Sequence, residues 1–260
     1  MDDRTRLPIN LPGSRIVPRR LTEAVGDLAF PGDCLICDSW IEDARAGLCL
    51  DCRDELFDAA GPACQRCALP VGPFADRASG CGDCSGRRYG FDAAVAIGPY
   101  EGPIRHLCLR LKSVRGAWLA PRLIDVLAEA RAEELANAEA RAVVPVPLHP
   151  WRRLRRRYNQ SEALAQALAH RLGLPMVRAL RRVRPTSALW RVGRVERHRQ
   201  MQGVFQTNQK SLEAILGVPV LLVDDILTTG ATCSAASRAL KRAGVGPVMA
   251  VVIGRVEGKG

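Results

Sequence analysis

The spacing of its cysteines constrains this chain more than any other feature of the sequence. Eight of the ten cysteines fall between residues 34 and 84, where they form four Cys-x2-Cys pairs. Each pair can present two thiolates to one ion from a tight turn, so four pairs supply two tetrahedral zinc sites. The connectors 38–48, 53–63 and 68–80 have lengths typical of zinc ribbons. The predicted zinc ligands are Cys34, Cys37, Cys49, Cys52, Cys64, Cys67, Cys81 and Cys84.

Two pairings of these turns use the same ligands. In the sequential pairing, the first and second Cys-x2-Cys pairs share one ion, and the third and fourth share the other. In an interleaved cross-brace, alternate pairs share an ion instead. We favour the sequential pairing. Four thiolates per ion leave no position for a catalytic water, so we expect structural zinc whose binding free energy contributes to folding. The cysteine pairs are alternatively redox dithiols or disulfides. Both roles agree less well with four Cys-x2-Cys pairs in a chain that shows no secretion signal.

The charge balance of the chain favours phosphate-bearing partners. Its 260 residues include 38 Lys+Arg and 27 Asp+Glu, a net charge of +11, and 47% are hydrophobic, enough to bury a core. No apolar run approaches the roughly 18 residues of a membrane-spanning helix. The start, Met1 to Arg4, lacks the charged and then apolar profile of a signal peptide. We therefore expect a cytoplasmic protein without membrane insertion.

Three segments follow from the change of pattern along the chain: a lead-in segment 1–29, a double zinc ribbon domain 30–88 and an α/β domain 89–260. Strand and helix patterns alternate in the last segment, which predicts a mainly parallel sheet flanked by helices. Cys108 in one predicted helix and Cys233 at the start of another have no partner at ligand spacing, and we expect them to be buried. Strands are predicted at 93–98, 142–147, 218–223 and 248–253, and helices at 103–111, 118–138, 160–172 and 234–242. Asn159 and Glu162 are predicted to form a capping box at the start of the helix at 160–172.

The segment 220–232 is the strongest candidate for a ligand site. An apolar strand ends in Asp224 and Asp225, and a short Thr/Gly loop then leads into a helix. Gly230 permits close approach of the backbone, and the helix N-terminus supplies oriented N–H groups for a phosphate. The adjacent carboxylates suit sugar hydroxyls or a bound Mg²⁺. The segment therefore predicts a sugar phosphate as the ligand rather than a bare anion.

These thirteen residues resemble the phosphoribosyl pyrophosphate (PRPP) signature of type I phosphoribosyltransferases. The resemblance implies that Asp224 and Asp225 are catalytic and bind the ribose 2′ and 3′ hydroxyls, directly or through Mg²⁺. It implies a type I phosphoribosyltransferase-like fold and pentosyl transfer to an acceptor that the sequence does not name. The residues that it assigns to the 5′-phosphate are Thr228, Thr229, Gly230, Ala231 and Thr232.

A basic stretch follows the predicted strand at 142–147. In type I phosphoribosyltransferases a loop after a corresponding strand holds the pyrophosphate of PRPP, and here five arginines lie within 152–157. Arg152 and Arg155 are the candidate pyrophosphate ligands, although the same arginines can follow a nucleic-acid backbone. Residues 151–200 contain fourteen Arg and two Glu, so the basic excess of the chain is concentrated here.

The combination of motifs over 30–255 resembles the competence protein ComF family, also called ComFC or GntX-like. The motifs are the zinc ribbons, Leu111-Lys112, Val-Pro-Val-Pro at 144–147, Arg-Arg-Tyr-Asn-Gln at 156–160, Gly203-Val204-Phe205 and the PRPP loop. The resemblance implies Lys112 as a substrate ligand and a link to DNA uptake in natural transformation. Its implied partners are PRPP or a related ribose phosphate, single-stranded DNA and proteins of the uptake machinery. Two hypotheses remain: a PRPP-dependent transferase and a non-catalytic adaptor that binds single-stranded DNA.

Overall fold

A parallel sheet of five strands lies at the centre of the computed structural model, which describes residues 32–42, 46–148, 158–184, 196 and 199–257. The strands in chain order are β1 (Ala93–Pro99), β2 (Ala142–Pro145), β3 (Leu180–Arg182), β4 (Phe205–Thr207), β5 (Val220–Val223), β6 (Ile226–Leu227) and β7 (Val248–Arg255). The sheet order is β1-β7-β5-β2, β6 also pairs with β7, and all these pairings are parallel. β3 and β4 form a separate antiparallel pair. The predicted lead-in segment 1–29 lies outside the described residues.

Helices cover both faces of this sheet. They are α1 (Leu50–Ala59), α2 (Gly102–Arg110), α3 (Leu119–Ala130), α4 (Ala132–Asn137), α5 (Gln160–Leu172), α6 (Gln209–Leu212) and α7 (Ala231–Arg242), with 3₁₀ turns at Val114–Trp118 and Glu213–Ile215. The predicted architecture, a mainly parallel sheet flanked by helices and preceded by zinc ribbons, is confirmed. No helix in the described ranges has the length and apolar content that crossing a membrane requires.

The strand β5 shows why the sheet is buried on both faces. All four of its residues are buried, and they alternate between two hydrophobic clusters. Leu221 and Val223 face the cluster built with α1, α2, α3 and α5, whereas Val220 and Leu222 face the one built with α7 and the β3–β4 pair. A continuous apolar run of this kind is typical of a central parallel strand. Cys108 and Cys233 are buried in these two clusters, as predicted.

The zinc-ribbon segment packs directly onto this core. Leu56 of α1 is fully buried in the cluster that contains Val95 and Ile97 of β1. Ala68, the residue after the third Cys-x2-Cys pair, is buried in the cluster on the opposite face of the sheet. The two ribbons therefore contribute apolar side chains to the hydrophobic clusters of the α/β domain.

Arg131 breaks the helix that the sequence predicts over 118–138. Its φ of −125° separates α3 from α4, and its side chain is only 5% exposed. The guanidinium donates hydrogen bonds to the carbonyls of Ala96 (2.8 Å) and Ile97 (3.1 Å) in β1 and to that of Gly61 (3.0 Å). Because a buried charge requires such partners, the helix is interrupted where the arginine reaches them.

The predicted capping box at the start of α5 is wrong. Asn159 occupies the N-cap position but makes no side-chain cap hydrogen bond. Its Nδ2 instead donates to the carbonyl of Val146, at 3.1 Å, while Glu162 accepts from Arg178 at 2.5 Å. The asparagine thereby ties the start of α5 to the segment just after β2. The helix spans the predicted residues 160–172, and Gly173 ends it in the left-handed conformation (φ 67°).

Candidate functional site

The eight predicted zinc ligands form two separate groups of four. Within each group the Sγ atoms all lie within 4.8 Å of one another. The first centre comprises Cys34, Cys37, Cys49 and Cys52, and the second centre comprises Cys64, Cys67, Cys81 and Cys84. This is the sequential pairing, and four thiolates at such separations fit one tetrahedral zinc ion each. The two clusters thus fit two structural zinc ions, and four thiolates for each ion leave no open catalytic position.

The two centres repeat one local turn. Asp38 and Ala68, which directly follow Cys37 and Cys67, both have a φ of 58°. The turns are closed by antiparallel bridges, Asp33 with Trp40 in the first and Ala63 with Pro70 in the second. A left-handed residue after the second cysteine carries some conformational cost. Zinc coordination by both cysteines of the turn offsets that cost.

Two carboxylates follow the central strand β5 at its carboxyl end. The Asp224 N–H still donates to Val251 of β7 (3.0 Å), so the strand pairing holds its backbone in place. Asp224 Oδ1 accepts from Ser161 Oγ at 2.8 Å and from the Asp225 N–H at 3.0 Å. The carboxyl ends of parallel strands are the usual position of ligand sites in α/β sheets.

Burial and, after it, the neighbouring charge of Asp225 together raise the pKa of Asp224 from its ordinary 3.8 to about 7. The hydrogen bond from Ser161 acts in the opposite direction. The Asp224 carboxyl therefore titrates near neutral pH. A cation or hydroxyl donors from a ligand would favour its ionised form.

Three residues from two other segments reach this carboxylate pair. Lys112 Nζ lies 3.5 Å from Asp225 Oδ2, and Gln160 Nε2 donates to the same oxygen at 3.4 Å. Ser161 follows Gln160 at the start of α5. Gln160 is only 2% exposed, and its Oε1 has no hydrogen-bond partner among the described residues. A buried acceptor without a partner is costly, and a ligand donor or a cation would satisfy it.

The loop after the carboxylates turns sharply at Gly230. This residue has a φ of 76° and is the N-cap of α7. A Cβ at this position would lie 2.8 Å from Cε1 of Tyr89, so glycine is required both by conformation and by space. Thr229 Oγ1 accepts from the Ala231 N–H at 3.4 Å. Thr228 is exposed and Thr232 is partly exposed at the start of the helix.

The structure thus brings together Lys112, Asp224 and Asp225, with the predicted phosphate loop 228–232 next to the carboxylates. Arg152 and Arg155 lie outside the described residues. Sequence reasoning did not single out Gln160 or Ser161. The available signal was the Arg-Arg-Tyr-Asn-Gln motif, which ends at Gln160 and is followed directly by Ser161.

The fold and the site together define a parallel α/β protein with a double zinc ribbon at its N-terminal side. A carboxylate pair lies between its central strand and the loop that leads into α7. The double zinc ribbon domain family matches residues 25–85. Competence protein F of Haemophilus influenzae is 30% identical over 218 residues, which cover 82% of this chain and 92% of that protein. The DNA utilization proteins YhgH of Salmonella typhi and Escherichia coli are 29% and 28% identical, over 85% of this chain and 96% of their own lengths. The chain belongs to the ComF family.

The pairing of the zinc ligands gives a prediction about metal content. We expect two zinc ions per chain by native mass spectrometry, and one in the double variant Cys34→Ser/Cys49→Ser, because both changes fall in the first centre. The variant Cys34→Ser/Cys64→Ser should retain none. Cys108→Ala, a buried cysteine outside both centres, is the control and should retain two. An interleaved pairing would exchange the results of the two double variants.

The raised pKa of Asp224 predicts a pH-dependent change in stability. The unfolded carboxyl ionises near its ordinary pKa of 3.8 and the folded one near 7, so wild-type stability falls as the pH rises between these values. Asp224→Asn removes this loss and retains the acceptor for Ser161. We expect a melting temperature that is several degrees above wild type at pH 8 and closer to it at pH 5, in magnesium-free buffer.

The control for this comparison is Glu213→Gln, which removes an exposed carboxylate. Its melting temperature should follow that of wild type at both pH values. A difference between Asp224→Asn and wild type that stays constant from pH 5 to pH 8 would contradict the burial of an ionising group.

Proposed function

We propose that this protein binds PRPP or a related ribose phosphate at the carboxyl end of β5 and acts in DNA uptake and utilisation. One observation carries the proposal: a carboxylate pair, a glycine turn and a helix N-terminus follow one another there, with Lys112 at 3.5 Å from the second carboxylate. Each part suits one part of the ligand. The loop and helix suit the phosphate, and the carboxylates suit the sugar hydroxyls.

The phosphate end of the site is proposed to use backbone groups. The first N–H groups of α7 have no intrahelical partner, and the helix dipole adds positive potential at the same place. The hydroxyls of Thr228, Thr229 and Thr232 supply further donors. Because Gly230 has no side chain, the ligand phosphate can approach the backbone closely.

The sugar end of the site is proposed to use Asp224 and Asp225 as acceptors for the 2′ and 3′ hydroxyls, directly or through Mg²⁺. Carboxylate oxygens and the unpartnered Oε1 of Gln160 are hard ligands of the kind that Mg²⁺ prefers, so the donor set fits this ion. Bound Mg²⁺ would supply charge neutralisation for the pyrophosphate. Lys112 adds a positive charge beside Asp225, and Arg152 and Arg155 are proposed for the pyrophosphate loop.

If the site is catalytic, the reaction class is phosphoribosyl transfer. The bond between ribose C1 and the pyrophosphate oxygen breaks, pyrophosphate leaves with the bonding electrons, and an acceptor nucleophile bonds to C1. Stabilising the departing charge is the main task of the protein in such a step. Lys112 and the proposed arginines would perform it, and the carboxylates would orient the sugar.

The biological setting is proposed from the names of the relatives. One is a competence protein and the others are DNA utilization proteins. We place this chain in the same process, in the cytoplasm, with single-stranded DNA and proteins of the uptake machinery as partners. A second candidate function is therefore a non-catalytic adaptor for single-stranded DNA. It is favoured by these names and by the fourteen arginines of residues 151–200.

The ribose-phosphate proposal is tested by calorimetry of Mg²⁺-PRPP with the zinc-loaded full chain. We expect binding to wild type and at least about tenfold weaker binding to Asp224→Asn/Asp225→Asn, since the sugar loses both acceptors. The matched control Asp54→Asn/Glu213→Gln removes two exposed carboxylates outside the site and should bind as wild type does. Absence of binding to wild type, or equal binding by the site variant, would reject the proposal.

The adaptor candidate makes a different prediction. Binding of a fluorescent single-stranded oligonucleotide should weaken steeply with salt, because each phosphate contact releases counterions. The slope of log affinity against log salt concentration, measured by anisotropy, gives the number of such contacts. Affinity that is absent, or independent of salt, would reject this candidate.

A further inference from the structure

A buried arginine lies between the second zinc centre and the phosphate loop. Arg255 is the last residue of β7, and only 1% of its surface is exposed. A charged side chain at such depth costs free energy unless it is fully hydrogen-bonded. Its partners therefore show what the guanidinium holds in place.

The guanidinium is bonded to the second zinc centre on one side. Its Nε donates to the carbonyl of Cys67 at 2.7 Å, so it contacts the backbone of a zinc ligand. Its Nη2 lies 3.6 Å from Oδ2 of Asp83, which sits between the ligands Cys81 and Cys84. Both cysteine pairs of this centre are thus in contact with one arginine. A zinc ion shared by these cysteines contributes its binding free energy to the folding of both turns.

The same guanidinium is bonded to the phosphate loop on the other side. Its Nη1 donates to the carbonyl of Leu227, the residue before the loop, at 3.0 Å, to that of Thr228, the first loop residue, and to that of Val256. The loop backbone is further fixed by the Val256 N–H, which donates to Leu227. A single side chain therefore connects the zinc-bound turns with the first residues of the loop.

This arrangement determines the direction of the loop N–H groups. In a trans peptide the carbonyl oxygen and the following N–H point in opposite directions, and no described peptide bond is cis. Because Arg255 holds the carbonyls of Leu227 and Thr228, the N–H groups of Thr228 and Thr229 point away from it. The guanidinium thus presents these two donors on the opposite side of the loop, before any ligand arrives.

Tyr89 makes an independent connection to the loop, at Gly230. It follows the last zinc ligand, Cys84, by five positions, and it packs against the hydrophobic cluster of the second centre. Its ring also occupies the space where a Cβ of Gly230 would lie. The second centre is therefore connected to the loop at Thr228 through Arg255 and at Gly230 through Tyr89.

We propose that Arg255 is a positioning residue through which the second zinc centre orders the phosphate loop, so that ligand affinity depends on zinc in that centre. The affinity part of this proposal rests on the proposed ribose-phosphate function. The ordering part concerns the ligand-free protein and is measured separately. The first centre makes no such connection among the described residues, since its cysteines pack with α1, α2 and α3.

Arg131 provides a matched control for the test. It is also a buried arginine, at 5% exposure, and it also donates to three backbone carbonyls. These carbonyls belong to Gly61, Ala96 and Ile97, which lie outside the phosphate loop. Arg131→Lys and Arg255→Lys should both lower thermal stability, so stability alone does not separate them.

Amide hydrogen exchange on the zinc-loaded, ligand-free full chain tests the ordering directly. We take as loop amides the two N–H groups that are hydrogen-bonded at the loop: Ala231, which donates to Thr229 Oγ1, and Val256, which donates to the Leu227 carbonyl. We expect these amides to exchange about tenfold faster in Arg255→Lys and in Asp83→Asn than in wild type, with exchange in β1 unchanged. Arg131→Lys should leave the loop amides at the wild-type rate. Equal exchange in Arg255→Lys and wild type, or an equal increase in Arg131→Lys, would overturn the proposal. Asp83→Asn, at a partly exposed residue, keeps the test available if Arg255→Lys does not fold.

The zinc dependence is tested with one ligand of each centre. Cys81→Ser should accelerate exchange of the loop amides and weaken Mg²⁺-PRPP binding by roughly tenfold, because the loop must then be ordered on binding. Cys37→Ser should accelerate exchange in α1 and leave the loop amides at the wild-type rate. Loop exchange that responds equally to both variants, or to neither, rejects the coupling. Wild-type protein that does not bind PRPP rejects the proposed function, while the exchange data still decide the ordering.

Discussion

Coordination of two zinc ions by eight thiolates is the interaction on which the rest of this structure depends. The second ribbon has almost no hydrophobic core of its own, because its buried cluster consists of Leu69 and three of the zinc ligands. Four thiolates within 4.8 Å of one another repel unless a cation lies between them. Once the turns are fixed, Ala68 and Tyr89 pack onto the core of the α/β domain. The free energy of metal binding therefore contributes both to folding of the ribbon and to its packing on the sheet.

The carboxylate site depends on a different feature, the complete burial of β5. Its four apolar residues carry the chain through the centre of the sheet, and the first polar side chains emerge only where the strand ends. Burial at that position raises the pKa of Asp224, and repulsion from the adjacent Asp225 adds to the effect. Lys112, Gln160 and Ser161 reduce this repulsion without removing it. The unliganded site thus stores an unfavourable charge interaction that a cation or sugar hydroxyls would relieve.

The sequence was sufficient for the features that depend on spacing and on apolar runs. The cysteine pairs, the strand before Asp224 and the glycine turn at 230 all follow from local pattern. The errors concern polar side chains with distant partners, since periodicity does not report which carbonyl such a side chain reaches. Arg131 interrupts a predicted helix where its guanidinium donates to carbonyls of β1. Asn159 donates to the carbonyl of Val146 instead of capping its own helix. Gln160 and Arg255 were missed for the same reason.

The carboxylate pair also bears on the choice between the two candidate ligands. A ribose phosphate offers two adjacent hydroxyls, and these match two adjacent carboxylates. DNA lacks the 2′ hydroxyl, so a DNA strand end would leave one of the two acceptors without a donor beside a phosphate of the same charge. This mismatch supports the proposed ribose-phosphate ligand over a DNA strand end. Contacts with DNA would then be expected from the arginines of residues 151–200 rather than from the carboxylate pair.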